Sequence, residues 1–120
     1  MQTDTIFKKC PLCSHRWETR NDFLNDKTLE LNGYQADFES LEHGLFFFTH
    51  RVDGCHSTMG ILSADFFDLY TGKKYAQRKT GSEECPGYCL KKNKLDRCDA
   101  ACEYAFVREI IQIILAHQAA

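Results

Sequence analysis

The sequence predicts a small α+β fold: an antiparallel sheet, a short helix and a long C-terminal helix, stapled together by metal. Three observations lead there. Alternating and continuous apolar runs fill residues 29–62. An apolar stripe at helical spacing lies near the C-terminus. Seven cysteines fall into close pairs, Cys10/Cys13, Cys85/Cys89 and Cys98/Cys102, with Cys55 beside His56.

The elements follow in chain order. Residues 6–17 read as two short strands around a Cys10-Pro11-Leu12-Cys13 turn. Residues 19–26 hold one or two helical turns, capped by Thr19 or Asn21, whose side chains can accept from the first free N–H groups. Leu29-Glu30-Leu31 and Tyr34-Gln35-Ala36-Asp37-Phe38 flank Asn32-Gly33, the strongest short signal for a hairpin; one bulged strand is the competing arrangement. Leu45-Phe46-Phe47-Phe48-Thr49 is a continuous apolar run, expected as a central strand buried on both faces. Thr58-Met59-Gly60-Ile61-Leu62 reads as a further strand.

Ser63 is expected to cap a helix over residues 63–70, closed by Thr71-Gly72, with Phe66, Leu69 and Tyr70 on one face. Residues 73–84 are polar and read as a loop or a short edge strand. The last helix is expected to start at a cap on Asp96 or Asp99 and to run to about residue 116. Cys102, Phe106, Ile110, Ile113, Ile114 and His117 share one face of it, widened by Val107 and Ile111. That face closes the core or forms half of a homodimer seam.

Composition bounds the class. Hydrophobic residues make up 43% and charged residues 27% of 120 residues. This is the balance of a globular chain with enough apolar surface for its own core, and residues 1–120 are read as one domain. Its parts are a strand region over 6–62, a helix and loop over 63–84, and a cysteine-rich loop with the final helix over 85–117. The N-terminal residues lack the apolar core of a signal peptide, and the apolar C-terminal stretch is too short to span a bilayer. A cytoplasmic location without membrane contact is the expectation. Thiols stay reduced there, which favours metal ligation over disulfides. The odd cysteine count points the same way.

Charge is unevenly laid out. Residues 18–72 carry ten Asp/Glu against three Lys/Arg, and residues 73–97 carry eight Lys/Arg against three Asp/Glu. A nucleic-acid contact through the basic 73–97 face is one reading, but the formal net charge of −2 does not favour it.

Two metal sites are expected. The first draws Cys10 and Cys13 from one tight turn and Cys55 from a loop after the Phe-rich run. His50 supplies the fourth ligand, with His56 as the alternative; adjacent residues in extended chain point apart, which favours His50 over the direct neighbour of Cys55. Three cysteines and one histidine suit zinc. The second site is Cys85, Cys89, Cys98 and Cys102. Cys98 and Cys102 are expected one helical turn apart on the last helix, facing one ion. Cys85 and Cys89 come from a loop folded over its start. Lys91, Lys92, Lys94 and Arg97 offset the thiolate charge. Zinc is the first choice here and an iron–sulfur cluster the alternative.

Over residues 6–62 the Cys10-Pro11-Leu12-Cys13 turn, the antiparallel strands and the later Cys55 resemble zinc ribbons. That resemblance implies a structural metal and strands that serve nucleic-acid or protein contacts. Zinc ribbons usually carry a second C-x2-C turn; here Gly54-Cys55-His56 stands in its place.

An enzyme reading stays open but is not the favoured one. No phosphate loop, G-x-S-x-G or H-E-x-x-H motif is present. Cys55 and His56 are adjacent and have no third orienting group. The expected function is a non-catalytic zinc-binding module that contacts a partner protein. The alternatives are a small iron–sulfur or thiol redox protein and a nucleic-acid-binding module.

Overall fold

The computed structural model describes residues 6–79, 82–83, 85–98 and 101–119. The architecture is α+β, with two antiparallel sheets and two α-helices among the described residues. A two-stranded sheet pairs β1 (Lys8–Lys9) with β2 (Arg16–Trp17). α1 (Arg20–Leu24) follows at once, then β3 (Leu29–Gln35), β4 (Leu45–His50) and β5 (Thr58–Leu62), which form a meander in the order β3-β4-β5. Two 3-10 helices, Ser63–Leu69 and Tyr88–Leu90, precede the C-terminal helix α2 (Ala105–Ala119). Among the described residues, no helix is long and apolar enough to cross a membrane.

α1 starts where the sequence places it. Thr19 Oγ1 accepts from Asp22 N at 3.1 Å and Asp22 Oδ2 accepts from Thr19 N at 3.3 Å, a closed capping box. The helix buries Phe23 and Leu24.

Asn32-Gly33 does not turn the chain. β3 runs straight through it as one strand, with a register shift against β4 between Leu31 and Gly33. The hairpin expectation is therefore corrected in favour of the bulge. The bulge shifts the alternation by one residue, so that Leu29 and Leu31 are buried before it and Tyr34 after it. Gly33 is required by a close approach: a Cβ there would meet the carbonyl oxygen of Lys92 at 2.7 Å. The same oxygen accepts from Tyr34 N at 2.8 Å.

β4 is central, but only one of its faces is fully buried. Phe46, Phe48 and His50 point into the core, while Leu45, Phe47 and Thr49 are half-buried. Lys92 lies over the Phe47 ring, 4.8 Å from its centroid, and partly covers that second face. Residues 63–69 form a 3-10 helix rather than an α-helix, and Ser63 makes no capping bond. Its N–H is already committed to Gly44 O at 2.8 Å, and its hydroxyl is buried.

The last helix begins later than its periodicity predicts. Residues 101–104 are not helical, and α2 starts at Ala105. Glu103 N donates to Gln77 O at 2.8 Å, and the buried Tyr104 donates its hydroxyl to Asp37 O at 2.5 Å. These contacts hold 101–104 outside the helix, with a turn at residues 103–104 leading into it. Cys98 and Cys102 therefore do not share a helical face. Asp96 is not a cap, and Asp99 lies outside the described residues.

The core joins both sheets to α2. Phe7, Trp17, Phe23, Phe48 and Phe66 form a chain of tilted and edge-on rings with centroids 4.8–6.0 Å apart. From α2, Phe106, Val107, Ile110, Ile111 and Ile114 join the same cluster. The apolar face of α2 is thus covered by the chain's own sheet and turns, with Ile113 and His117 half-buried at its margin.

Candidate metal centre

The β1–β2 turn folds around its first cysteine. Cys10 N donates to His15 O at 2.8 Å and Ser14 N to Cys10 O at 3.0 Å, with Ser14 in the left-handed region at φ 68°. The turn aims backbone N–H groups of Leu12 and Cys13 at the Cys10 sulfur, and that of His15 at the Cys13 sulfur. Such donors stabilise thiolates before any metal arrives.

The opposite arm is the end of β4 and the loop after it. Inward alternation along β4 places His50 on the core side with Phe46 and Phe48. Beyond it the chain folds back tightly: His50 O accepts from Val52 N at 3.0 Å and from His56 N at 2.9 Å, and Cys55 N donates to Val52 O at 3.0 Å. Gly54 (φ 83°) and His56 (φ 58°) take left-handed conformations to make that bend. His50 is consequently buried and turned to the cysteines, while His56 is exposed and turned away.

The ligand atoms of Cys10, Cys13, His50 and Cys55 all lie within 4.8 Å of one another. Cys10 Sγ and Cys55 Sγ are 3.6 Å apart, and Cys13 Sγ and His50 Nδ1 are 3.4 Å apart. A tetrahedral zinc ion with ordinary bond lengths sets sulfurs about 3.8 Å apart and a sulfur–nitrogen pair about 3.6 Å apart. The cluster can therefore hold a metal ion with little rearrangement, and His50, not His56, completes it.

Electrostatics separates Cys10 from Cys13. Desolvation opposes charge on the buried Cys10, but the N–H groups of Cys13 and Leu12, the Ser57 hydroxyl and His50 outweigh it, and the thiol is pulled down to about 5. For Cys13 the His15 N–H favours the thiolate, yet desolvation and the Cys10 and Cys55 sulfurs prevail, and the thiol is pushed up. The Cys10 thiolate is thus favoured at neutral pH, whereas an ion binding at Cys13 must displace a proton.

Supporting groups surround these ligands. Ser57 Oγ lies 3.2 Å from Cys10 Sγ and 3.3 Å from Cys55 Sγ. The Trp17 ring meets His50 edge-on at 5.0 Å, and its indole N–H is anchored on Asp26 Oδ2 at 2.8 Å. Burial works against the Asp26 charge, but hydrogen bonds from Thr28 and Trp17 overcome it and hold the carboxyl below its ordinary value. Sequence reasoning passed over Ser57, Trp17 and Asp26. A hydroxyl two residues after a candidate ligand was the only local signal.

The downstream cysteines stand differently. Cys85, Cys89, Cys98 and Cys102 line one small cavity together with Tyr88 and Tyr104. Among the described residues, however, they do not gather into a group of three or more ligands that could hold a metal ion, as the upstream four do. Burial pushes the Cys89 thiol up to about 11.

The basic 73–97 stretch is largely engaged within the chain. Lys73, Lys74 and Lys94 lie over the rings of Tyr75, Phe106 and Tyr88 at 4.7–5.2 Å. Arg78 pairs with Glu103 at 3.3 Å and Arg97 with Glu109 at 2.7 Å.

Comparison with protein-family models, with curated proteins and with solved structures returns no match to this chain.

Proposed function

We propose that this protein is a non-catalytic zinc-binding module whose ion is structural and whose surface serves a partner protein. One observation carries the reading: four ligand atoms from the β1–β2 turn, the end of β4 and the loop after it converge within 4.8 Å. Three thiolates and an imidazole are a donor set that zinc prefers over hard cations. Four protein ligands fill a tetrahedral shell, leaving no position for a substrate or an activated water. An ion here fastens the small β1–β2 sheet to the β3–β5 sheet. It also fixes the tip of the turn, where Leu12 is 60% exposed, as an apolar contact point for a partner.

The test is thermal unfolding of the full chain with and without added zinc, before and after stripping with a chelator. A structural ion raises the melting temperature in proportion to the logarithm of free zinc above its dissociation constant. An unchanged melting curve, with zinc found bound, refutes the structural role. Absence of bound zinc refutes the site.

A further inference from the structure

We infer that Cys85, Cys89, Cys98 and Cys102 bind a single divalent ion, zinc, as a second, all-thiolate site whose charge is balanced by the buried guanidinium of Arg108. The inference stands apart from the upstream centre and survives its failure.

Four observations support it. First, the four cysteines converge from two segments onto one cavity, although each residue of the first pair lies thirteen or more positions before Cys102. Second, backbone N–H groups already point at two of the sulfurs. Gly87 N lies 3.3 Å from Cys85 Sγ, and Lys79 N lies 3.2 Å from Cys102 Sγ. The Cys85-Pro86-Gly87 bend, with Gly87 left-handed at φ 80°, sets its donor two residues after the cysteine. Leu12 bears the same relation to Cys10 in the upstream turn.

Third, Arg108 is fully buried without a carboxylate partner among the described residues. Its Nε donates to Asp96 O at 3.0 Å and one terminal nitrogen donates to Lys94 O, but the other, Nη1, has no acceptor. Carbonyl dipoles and the face of the Tyr88 ring, 5.6 Å from the guanidinium carbon, serve this buried cation without supplying an anion, and an unpaired donor adds to the cost of burying it. The Tyr34 hydroxyl is likewise buried and unpartnered. Both groups act electrostatically on Cys89. A metal-bound thiolate supplies the anion that Arg108 lacks and an acceptor for both orphaned donors. Fourth, the space that the four cysteines line has room for one water-sized occupant, about 10 Å³, which suits a single ion.

On binding, the thiols release their protons to solvent and the sulfurs become the ligands. Four thiolates around a divalent ion leave a net double negative charge, and Arg108 cancels half of it within the fold. Closing the shell draws the Tyr88–Leu90 turn toward the segment before α2. Arg108 and Gln112 already hold residues 94–96 against that helix, with Gln112 Nε2 donating to Leu95 O at 2.8 Å.

The experiment is titration of the reduced, chelator-stripped full chain with cobalt(II) alone, read by thiolate-to-metal charge-transfer absorption. Two equivalents are expected for the unaltered chain. Cys85→Ser and Cys98→Ser should each reduce this to one. Cys13→Ser should remove the other equivalent and leave an all-thiolate spectrum. Arg108→Met should weaken the downstream equivalent about 10–100-fold, as loss of an outer-shell partner does, and leave the upstream one unchanged. If Cys85→Ser and Cys98→Ser both bind as much cobalt as the unaltered chain, the inference falls. Iron with inorganic sulfide in the purified chain also overturns it. An equivalent lost in Cys85→Ser but kept in Cys13→Ser supports this site even where the upstream one fails.

Discussion

The Ser57 hydroxyl sits 3.2 Å from Cys10 Sγ, across 47 positions of sequence, and also reaches Cys55 Sγ at 3.3 Å. One hydroxyl thus touches two of the four candidate ligands without being a ligand itself. Ser57→Ala removes the hydroxyl while leaving its backbone bond to His50 N in place. Zinc affinity of the upstream site should fall about 10–100-fold, the usual loss for an outer-shell partner. Competition against a chromophoric chelator reads this directly; unchanged affinity would show that the hydroxyl plays no part in holding the sulfurs.

Asp26 gives the fold a specific acid sensitivity. Its carboxyl titrates lower in the folded chain than in the unfolded one, despite the opposing desolvation, because Thr28 and Trp17 bond the charged form. The stabilisation is therefore present above the ordinary carboxylate value and is lost as pH falls through the folded value. Asp26→Asn should cost on the order of 1–2 kcal/mol at neutral pH. The difference from the unaltered chain should shrink toward zero in strong acid. Denaturant melts across that range check it, and a pH-independent difference would deny the role of the charge.

Gly33→Ala tests the bulge. The added methyl group would meet backbone, the Lys92 carbonyl oxygen at 2.7 Å, and not the end of a flexible side chain. Destabilisation of about 1–3 kcal/mol is expected from overpacking, with weakening of the Tyr34 N to Lys92 O bond. Hydrogen exchange at the Tyr34 amide would locate the damage; full protection there would show that the loop had moved aside freely.

Much of the sheet was legible in the chain because its cause is local. Residues 58–62 alternate, residues 45–49 are apolar, and Thr19 stands three positions before Asp22; each pattern determines its element from within. The failures have non-local causes. Asn32-Gly33 carries a turn signal, yet the strand continues, because Gly33 answers to Lys92, far along the sequence. Helical periodicity extends back to Cys102, but Gln77 takes the Glu103 amide and delays α2 to Ala105. At the upstream site the cysteines were readable from spacing. The choice of His50 over His56 follows from β4 alternation, which buries one, and from a left-handed bend, which exposes the other. Ser57 and Arg108 carry no motif, and only the folded chain shows what they face.

Phe66 tests the core on which both sites rest. It is fully buried, with Phe7, Phe46 and Phe48 rings 5.6–6.0 Å away. Phe66→Ala should cost about 3–5 kcal/mol, seen as a lowered denaturant midpoint with bound zinc held constant. A loss below about 1 kcal/mol would mean that the 3-10 helix over Ser63–Leu69 does not pack as described.

The most direct test of the upstream centre is the metal content of three purified chains by elemental analysis: unaltered, His50→Ala and His56→Ala. His50→Ala should lose one zinc per chain relative to the unaltered protein, and His56→Ala should lose none. Equal zinc in the unaltered and His50→Ala chains, or loss through His56→Ala alone, contradicts the ligand set of Cys10, Cys13, His50 and Cys55.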